Sequence, residues 1–216
     1  YHLESATALK NKGGSSDAIT LDAAKSQLYL ELRKEGLQVF YIKSKKVIKT
    51  IANTEGSSGG VLIREFDLGI SHNATGSITP FKLSTGEARA PIKVAEELED
   101  AIYDPASKRL MVKVAATGDL TEVLVFDVPS LKPVGTVKIP SKRLDGAVVD
   151  GKGNLFVDAR DKNAIFRVDM KSLQVTAEWK IDGCEVPSGI AMDVANQRLF
   201  VGCRGKGDVK PILAVV

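Results

Sequence analysis

The chain has 216 residues, 44% of them hydrophobic, and its 30 basic and 27 acidic residues leave a formal charge of +3. That length is enough to bury a substantial core in one domain, and so small and dispersed a charge speaks against nucleic acid as a partner. No apolar run approaches the roughly 20 residues that cross a bilayer as a helix, so no membrane span is expected.

The opening stretch YHLESATAL, residues 1–9, lies ahead of Gly13 and Gly14 and reads as an isolated strand. No initiating methionine, basic stretch or apolar leader precedes it. The chain is therefore read as a processed product or an excised piece, with any export signal already gone. Residues 15–55 then carry four short apolar runs between turn residues, in DAITLDAAKSQLYLELRKEGLQVFYIKSKKVIKTI. The same order returns with weaker marks in residues 56–97, and clearly in residues 98–142 (DAIYDPASKRLMVKVAATGDLTEVLVFDVPSLKPVGTVKI) and 143–185 (LDGAVVDGKGNLFVDARDKNAIFRVDMKSLQVTAEWKI). It returns without its fourth run in residues 186–216.

The aspartates ending the first run of each copy, Asp22, Asp104, Asp150 and Asp193, give the period, with Arg64 near the place where the second copy lacks one. The spacing is roughly 40 to 45 residues per copy, the size of a four-stranded propeller blade. Runs such as RLFVGC, QLYLEL and VLVFDV are short and rich in β-branched or apolar residues, with KGN, PAS, DKN and STG between them. These are strand and turn signals, and no 3.6-residue period competes with them. The prediction is an all-β chain, a β-propeller of about five four-stranded blades, whose strands are apolar on both faces because each blade covers the next.

DAIYDPASKRLMV, VVDGKGNLFV, VFDVPSLKPVGTVKI and GCEVPSGIAMDVANQRLFVGCR resemble the YVTN-type β-propeller repeat family of largely bacterial exported proteins. The resemblance covers nearly the whole chain and is weak in the second copy. It implies a fold, a periplasmic or extracellular location and binding or surface roles, but no particular reaction. That family is typically seven-bladed. Two readings of the ends therefore stand: residues 1–14 supply a strand that closes a five-bladed ring, or this chain is part of a larger propeller. Cys184 and Cys203 are either two free thiols, one of them buried, or a bridge. The exported character implied by the resemblance favours the bridge.

Chemistry-bearing motifs are few. The basic cluster Lys43, Lys45, Lys46 and Lys49 reads as a solvated strand and turn. GKGN and GSSGG lack the strand, helix and lysine context of a phosphate loop, so no cofactor is expected. Two cysteines with His2 and His72 give no zinc spacing. His72 is read in a loop, with Ser71 beside it only in sequence, and no catalytic residue is assigned.

A propeller does offer a channel mouth. The first strands begin at Asp17, Gly60, Asp100, Asp145 and Ser188, and the loops after the second strands are expected to add His72, Lys113, Asp158, Arg160 and Arg204. The aspartates read mainly as Asx turns, and the charged rim as a surface for a protein or small-molecule ligand. One alternative is a divalent cation held by Asp17, Asp100 and Asp145 in a hydrolase or lyase. Another is a structural subunit that assembles through terminal edge strands.

Overall fold

The structure is a computed structural model describing residues 2–9 and 15–216; the side chain of Asp17 lies outside the described part. Nineteen strands form five antiparallel sheets among the described residues. The first sheet comprises β1 (Ser16–Asp22), β2 (Gln27–Leu32), β3 (Gly36–Tyr41) and β4 (Lys46–Thr50). The second comprises β5 (Ser57–Ile63), β6 (Leu68–Asn73), β7 (Ser77–Lys82) and β8 (Ile92–Lys93). The third is β9 (Leu98–Asp104), β10 (Arg109–Val114), β11 (Thr121–Asp127) and β12 (Pro133–Ile139). The fourth is β13 (Leu144–Val149), β14 (Asn154–Ala159), β15 (Ala164–Asp169) and β16 (Gln174–Lys180). The fifth has three strands, β17 (Pro187–Asp193), β18 (Arg198–Cys203) and β19 (Ile212–Val215). Strands follow one another in sequence order across every sheet, which is the meander of a propeller blade.

The repeated aspartates make these hairpins. Asp150 accepts hydrogen bonds from the Lys152 and Asn154 amides at 2.8 and 3.0 Å and from Asn154 Nδ2 at 2.6 Å. Burial raises the pKa of its carboxyl, but these donors outweigh that and hold it below the usual carboxylate value. Asp104 accepts from the Ala106 and Ser107 amides, and Asp193 from the Asn196 amide and side chain. A second Asx turn joins the third and fourth strands: Asp169 takes the Lys171 and Ser172 amides, and the leucine that follows, Leu173, sits at φ 58°. In the second sheet the first turn is a single 3-10 turn, Arg64–Phe66, ended by Asp67 at φ 50°. Arg64 stands where the other copies carry aspartate, and its guanidinium meets Asp22 of the first sheet at 3.3 Å.

The chain divides into two compact units, residues 1–101 and 102–216, with the division inside β9. In the first unit, Tyr29, Leu37, Val39 and Ile51 of the first sheet and its closing turn pack on Phe81 and Leu83, with the Tyr29 and Phe81 rings 6.0 Å apart. In the second unit the fourth sheet is apolar on both faces. Leu155, Val157, Phe166 and Val168 pack against Met111, Val123, Val125, Val137 and Ile139 of the third sheet. On the other face, Ile165 and Phe156 meet Leu199, Val201 and Met192 of the fifth. This is the stacked-sheet core that apolar runs without alternation imply.

The cysteines are bridged. Cys184, after β16, bonds Cys203 at the end of β18, with Cα atoms 5.4 Å apart and both residues buried. The basic cluster at 43–49 is a turn leading into β4, a fully exposed strand. Among the described residues no helix is long and apolar enough to cross a membrane. Residues 2–9, read from the sequence with Tyr1 as a closing strand, carry no strand and are largely exposed. Tyr1 and residues 10–14 lie outside the described residues.

Candidate functional site: a buried ionisable position at the end of each second strand

All five second strands, β2, β6, β10, β14 and β18, are six residues long. Their fifth residues are Glu31, His72, Lys113, Asp158 and Gly202. The four ionisable ones are nearly inaccessible, at 0, 1, 4 and 0% exposure. His72, Lys113 and Asp158 were expected in loops on a rim; the structure places them inside strands, because each of these second strands continues through them for one further residue. Glu31 escaped the sequence reading. Its signal was its place in QLYLEL, which corresponds to that of Asp158 in NLFVDA.

In the second unit this position builds a connected group. Lys113 Nζ donates to the backbone carbonyl of Asp145. The Asp145 amide donates to Asp158 Oδ1 at 3.2 Å, and the Asp145 carboxylate pairs with Arg160 Nη1 at 3.3 Å. Lys113, Asp145, Asp158 and Arg160 are thus brought together as the sequence reading grouped them, but in two levels. Lys113 and Asp158 are buried, while the side chains of Asp145 and Arg160 are 35 and 17% exposed.

A skip in the β13–β14 register between Leu144 and Ala147 turns the Asp145 backbone toward Asp158. Gly146 allows the close approach, because a Cβ there would sit tightly, 3.0 Å from the Ile190 backbone and 3.2 Å from Asp158 Oδ2. Oδ2 has no hydrogen-bond partner among the described residues. Burial, then the charge of Asp145, push the Asp158 carboxyl up to about 7, against the pull of Lys113. In the fifth sheet Arg204, one residue past β18 as Arg160 is past β14, is exposed and donates through Nε to Ser188 Oγ at 3.0 Å.

In the first unit His72 lies against Gly59 of β5. Its Nδ1 is 3.2 Å from Ser58 Oγ and its Nε2 is 3.8 Å from Asp100 Oδ1. Ser71, its sequence neighbour, instead hydrogen-bonds Ser57 at 2.9 Å. Glu31 lies near Gly60, where a Cβ would sit 3.9 Å from its Oε1. Asp17 lies on β1, and its side chain falls outside the described residues.

The equivalence assumed for the strand starts needs correcting. Leu144 pairs with the last residue of β14, Ser57 with the last of β6 and Pro187 with the last of β18, which makes Ser58, Asp145 and Ser188 equivalent. Aligning LEDAIYD with LDGAVVD puts Glu99, not Asp100, beside Asp145, and Gly60 is two residues past its place. Among the described residues no three His, Cys, Asp or Glu side chains gather in a way that could hold a metal.

No family model and no curated protein matches the chain. Among solved structures it is similar to a chain of Kuenenia stuttgartiensis hydrazine synthase, with a TM-score of 0.74 at 14% identity. The match covers 94% of this chain and 59% of that one, so this chain spans about three fifths of the length of the protein it resembles. At that identity the likeness concerns the fold: the chain is an all-β, five-bladed β-propeller, with four blades of four strands and one of three among the described residues.

Proposed function

We propose that the chain is a non-catalytic binding or scaffolding module of the YVTN-type propeller class, working outside the cytoplasm. In this reading the half-buried Asp145–Arg160 pair forms the contact surface of the second unit. The observation that supports it most is the two-level arrangement of that pair. Buried Lys113 and Asp158 fix the Asp145 backbone, so the half-buried, solvent-reachable acid and base are presented at little further entropic cost to a ligand. Rigid sheets presenting charged groups at strand ends suit recognition of a partner with complementary charge. The Cys184–Cys203 bridge is compatible with an oxidising compartment, and the repeat motifs quoted above support the family.

The cation-dependent hydrolase is the weaker reading, because Asp145 is engaged by Arg160 and Asp100 faces His72. Native mass spectrometry of the protein recovered from its source tests the proposal, alongside an Asp145→Arg, Arg160→Glu double variant. The expected result is a bound mass in the wild type that is lost in the double variant while the fold is retained. Equal retention of that mass by both proteins, or recovery of the protein only from the cytosolic fraction, overturns the reading.

A further inference from the structure

Beneath the Asp145–Arg160 surface lies a carboxyl group that the fold satisfies on one side only. Asp158 is fully buried; its Oδ1 takes the Asp145 amide, and its Oδ2 has no hydrogen-bond partner among the described residues. The charged groups set around it are Lys113 of β10, whose Nζ is held by the Asp145 carbonyl, Asp145 of β13, and Arg160 just past β14. β15 meets it with Ile165, its cross-strand partner, and β17 brings Ile190 against Gly146. The charged residues of those two strands are engaged elsewhere, Arg167 on Thr176 and Asp169 and Asp193 in their turns. Asp161 is tied to Ser141 and to the Lys142 amide.

These charges give the group two settings. With Asp158 protonated, Lys113 and Arg160 face Asp145 alone, and one positive charge is in excess. With Asp158 ionised, the excess is gone. Lys113 is nearly inaccessible, so a ligand meets that excess at Arg160, whose side chain is 17% exposed. The Arg160 Nη1 faces Asp145, while its Nε and Nη2 donors have no partner among the described residues. That pair of donors is an edge on which a guanidinium receives a carboxylate through two parallel bonds.

We propose that this surface binds a carboxylate group at Arg160 while Asp158 is protonated and releases it when Asp158 ionises. The inference rests on Asp145–Arg160 being a contact surface, and it adds the ligand chemistry and its control. Such coupling is reciprocal: the anion on Arg160 must tighten the hold of Asp158 on its proton by the same factor as the proton tightens the anion. Burial and the Asp145 charge bring the Asp158 titration to about 7, so the carboxylate is held below neutral pH and released above it.

The test follows the Arg160 Cζ and Asp145 Cγ resonances of the 216-residue chain by NMR as sodium acetate is added. Sodium chloride at equal ionic strength is the control, and both titrations are run at about pH 6 and about pH 8.5, on either side of the Asp158 midpoint. The expected result is a saturable shift with acetate at the lower pH, and affinity at least about fivefold weaker at the higher. Asp158→Asn cannot ionise and should bind equally at both; the wild-type comparison stands on its own if that variant does not fold. Arg160→Lys keeps the cation and loses the paired donors, so acetate should bind it more weakly at the lower pH, read at Asp145 Cγ. A capped peptide, acetyl-Gly-Asp-Gly-amide, then separates the sources of the carboxylate: tighter binding than acetate supports the proposal with a polypeptide side chain as ligand, and no gain supports it with a free acid. The proposal is overturned if chloride shifts the resonances as acetate does, if the wild type binds acetate equally at both pH values, or if Asp158→Asn keeps the wild-type pH dependence. Those results leave the contact surface itself standing, since it falls only when the Asp145→Arg, Arg160→Glu double variant keeps the bound mass.

Discussion

The second and fourth sheets share one strand order and differ in what fills them. In the fourth, Leu155, Val157, Ala159, Ala164, Phe166 and Val168 are buried hydrocarbon, with Asp158 set at the end of the strand. In the second, Ser57, Ser58, Ser71, His72, Asn73 and Thr79 are buried, linked by short hydrogen bonds such as Ser57 to Ser71 and Thr79 Oγ1 to the Asn53 carbonyl at 2.6 Å. Both blades bury hydrocarbon, the second through Ile63, Leu68, Ile70, Ile78 and Phe81, but the second adds a layer of hydrogen-bonded polar groups whose net worth per bond is smaller than that of buried side chains. The repeat is clear in the fourth copy and faint in the second because in the second Arg64 and a 3-10 turn replace the aspartate turn that marks the other copies.

The largest effect expected from this contrast is at Phe166, which is 1% exposed in the fourth sheet's core. Phe166→Ala should cost about 3–5 kcal/mol in urea denaturation. A loss below about 1 kcal/mol would remove the apolar half of the comparison. Next is the acid buried within a strand of the fourth sheet, Asp158 of β14. Asp158 titrates near 7 when folded and near about 3.9 when unfolded. Its protonated form stabilises the fold below the lower value, and that contribution is lost as pH rises through the higher one. Stability should thus fall by on the order of 2–4 kcal/mol between pH 4 and 8. Asp158→Asn should flatten this slope and be the more stable protein at pH 8, and a slope unchanged in the variant would locate the pH dependence elsewhere.

In the polar sheet, Gly59→Ala sets a methyl group on the buried His72 ring, which has no room to swing aside. A cost of about 1–3 kcal/mol is expected. It should be smaller in a His72→Ala background, and strict additivity of the two changes would show that the ring is not the obstacle. Smallest is Ser71→Ala, which leaves Ser57 Oγ without its 2.9 Å partner. About 1 kcal/mol is expected, and no loss at all would mean the serine pair contributes nothing to that sheet.

The blades were legible because most of them turn on an aspartate, and Asp104, Asp150 and Asp193 repeat at the period of the fold. It named Lys113, Asp158 and His72 as residues of interest yet set them on loops. Sheets packed on both faces show no polar alternation that would mark where a strand ends, so a charged residue after an apolar run looked like the start of a turn. Glu31 was hidden for the same reason, since in QLYLEL it passes for the exposed member of a half-buried strand. The pairing of His72 with Ser58 had no local signal, because fourteen residues and a hairpin separate them.

The account rests on ionisable side chains being buried at the fifth position of the second strands, and Asp158 exposes that claim most directly. Titration of its side-chain carbon by NMR, with Asp158→Asn to assign the resonance, is the measurement to make. A midpoint of about 7 is predicted. A midpoint near the ordinary carboxylate value of about 3.9 would mean that Asp158 is hydrated, and the buried layer beneath the Asp145–Arg160 surface would not exist.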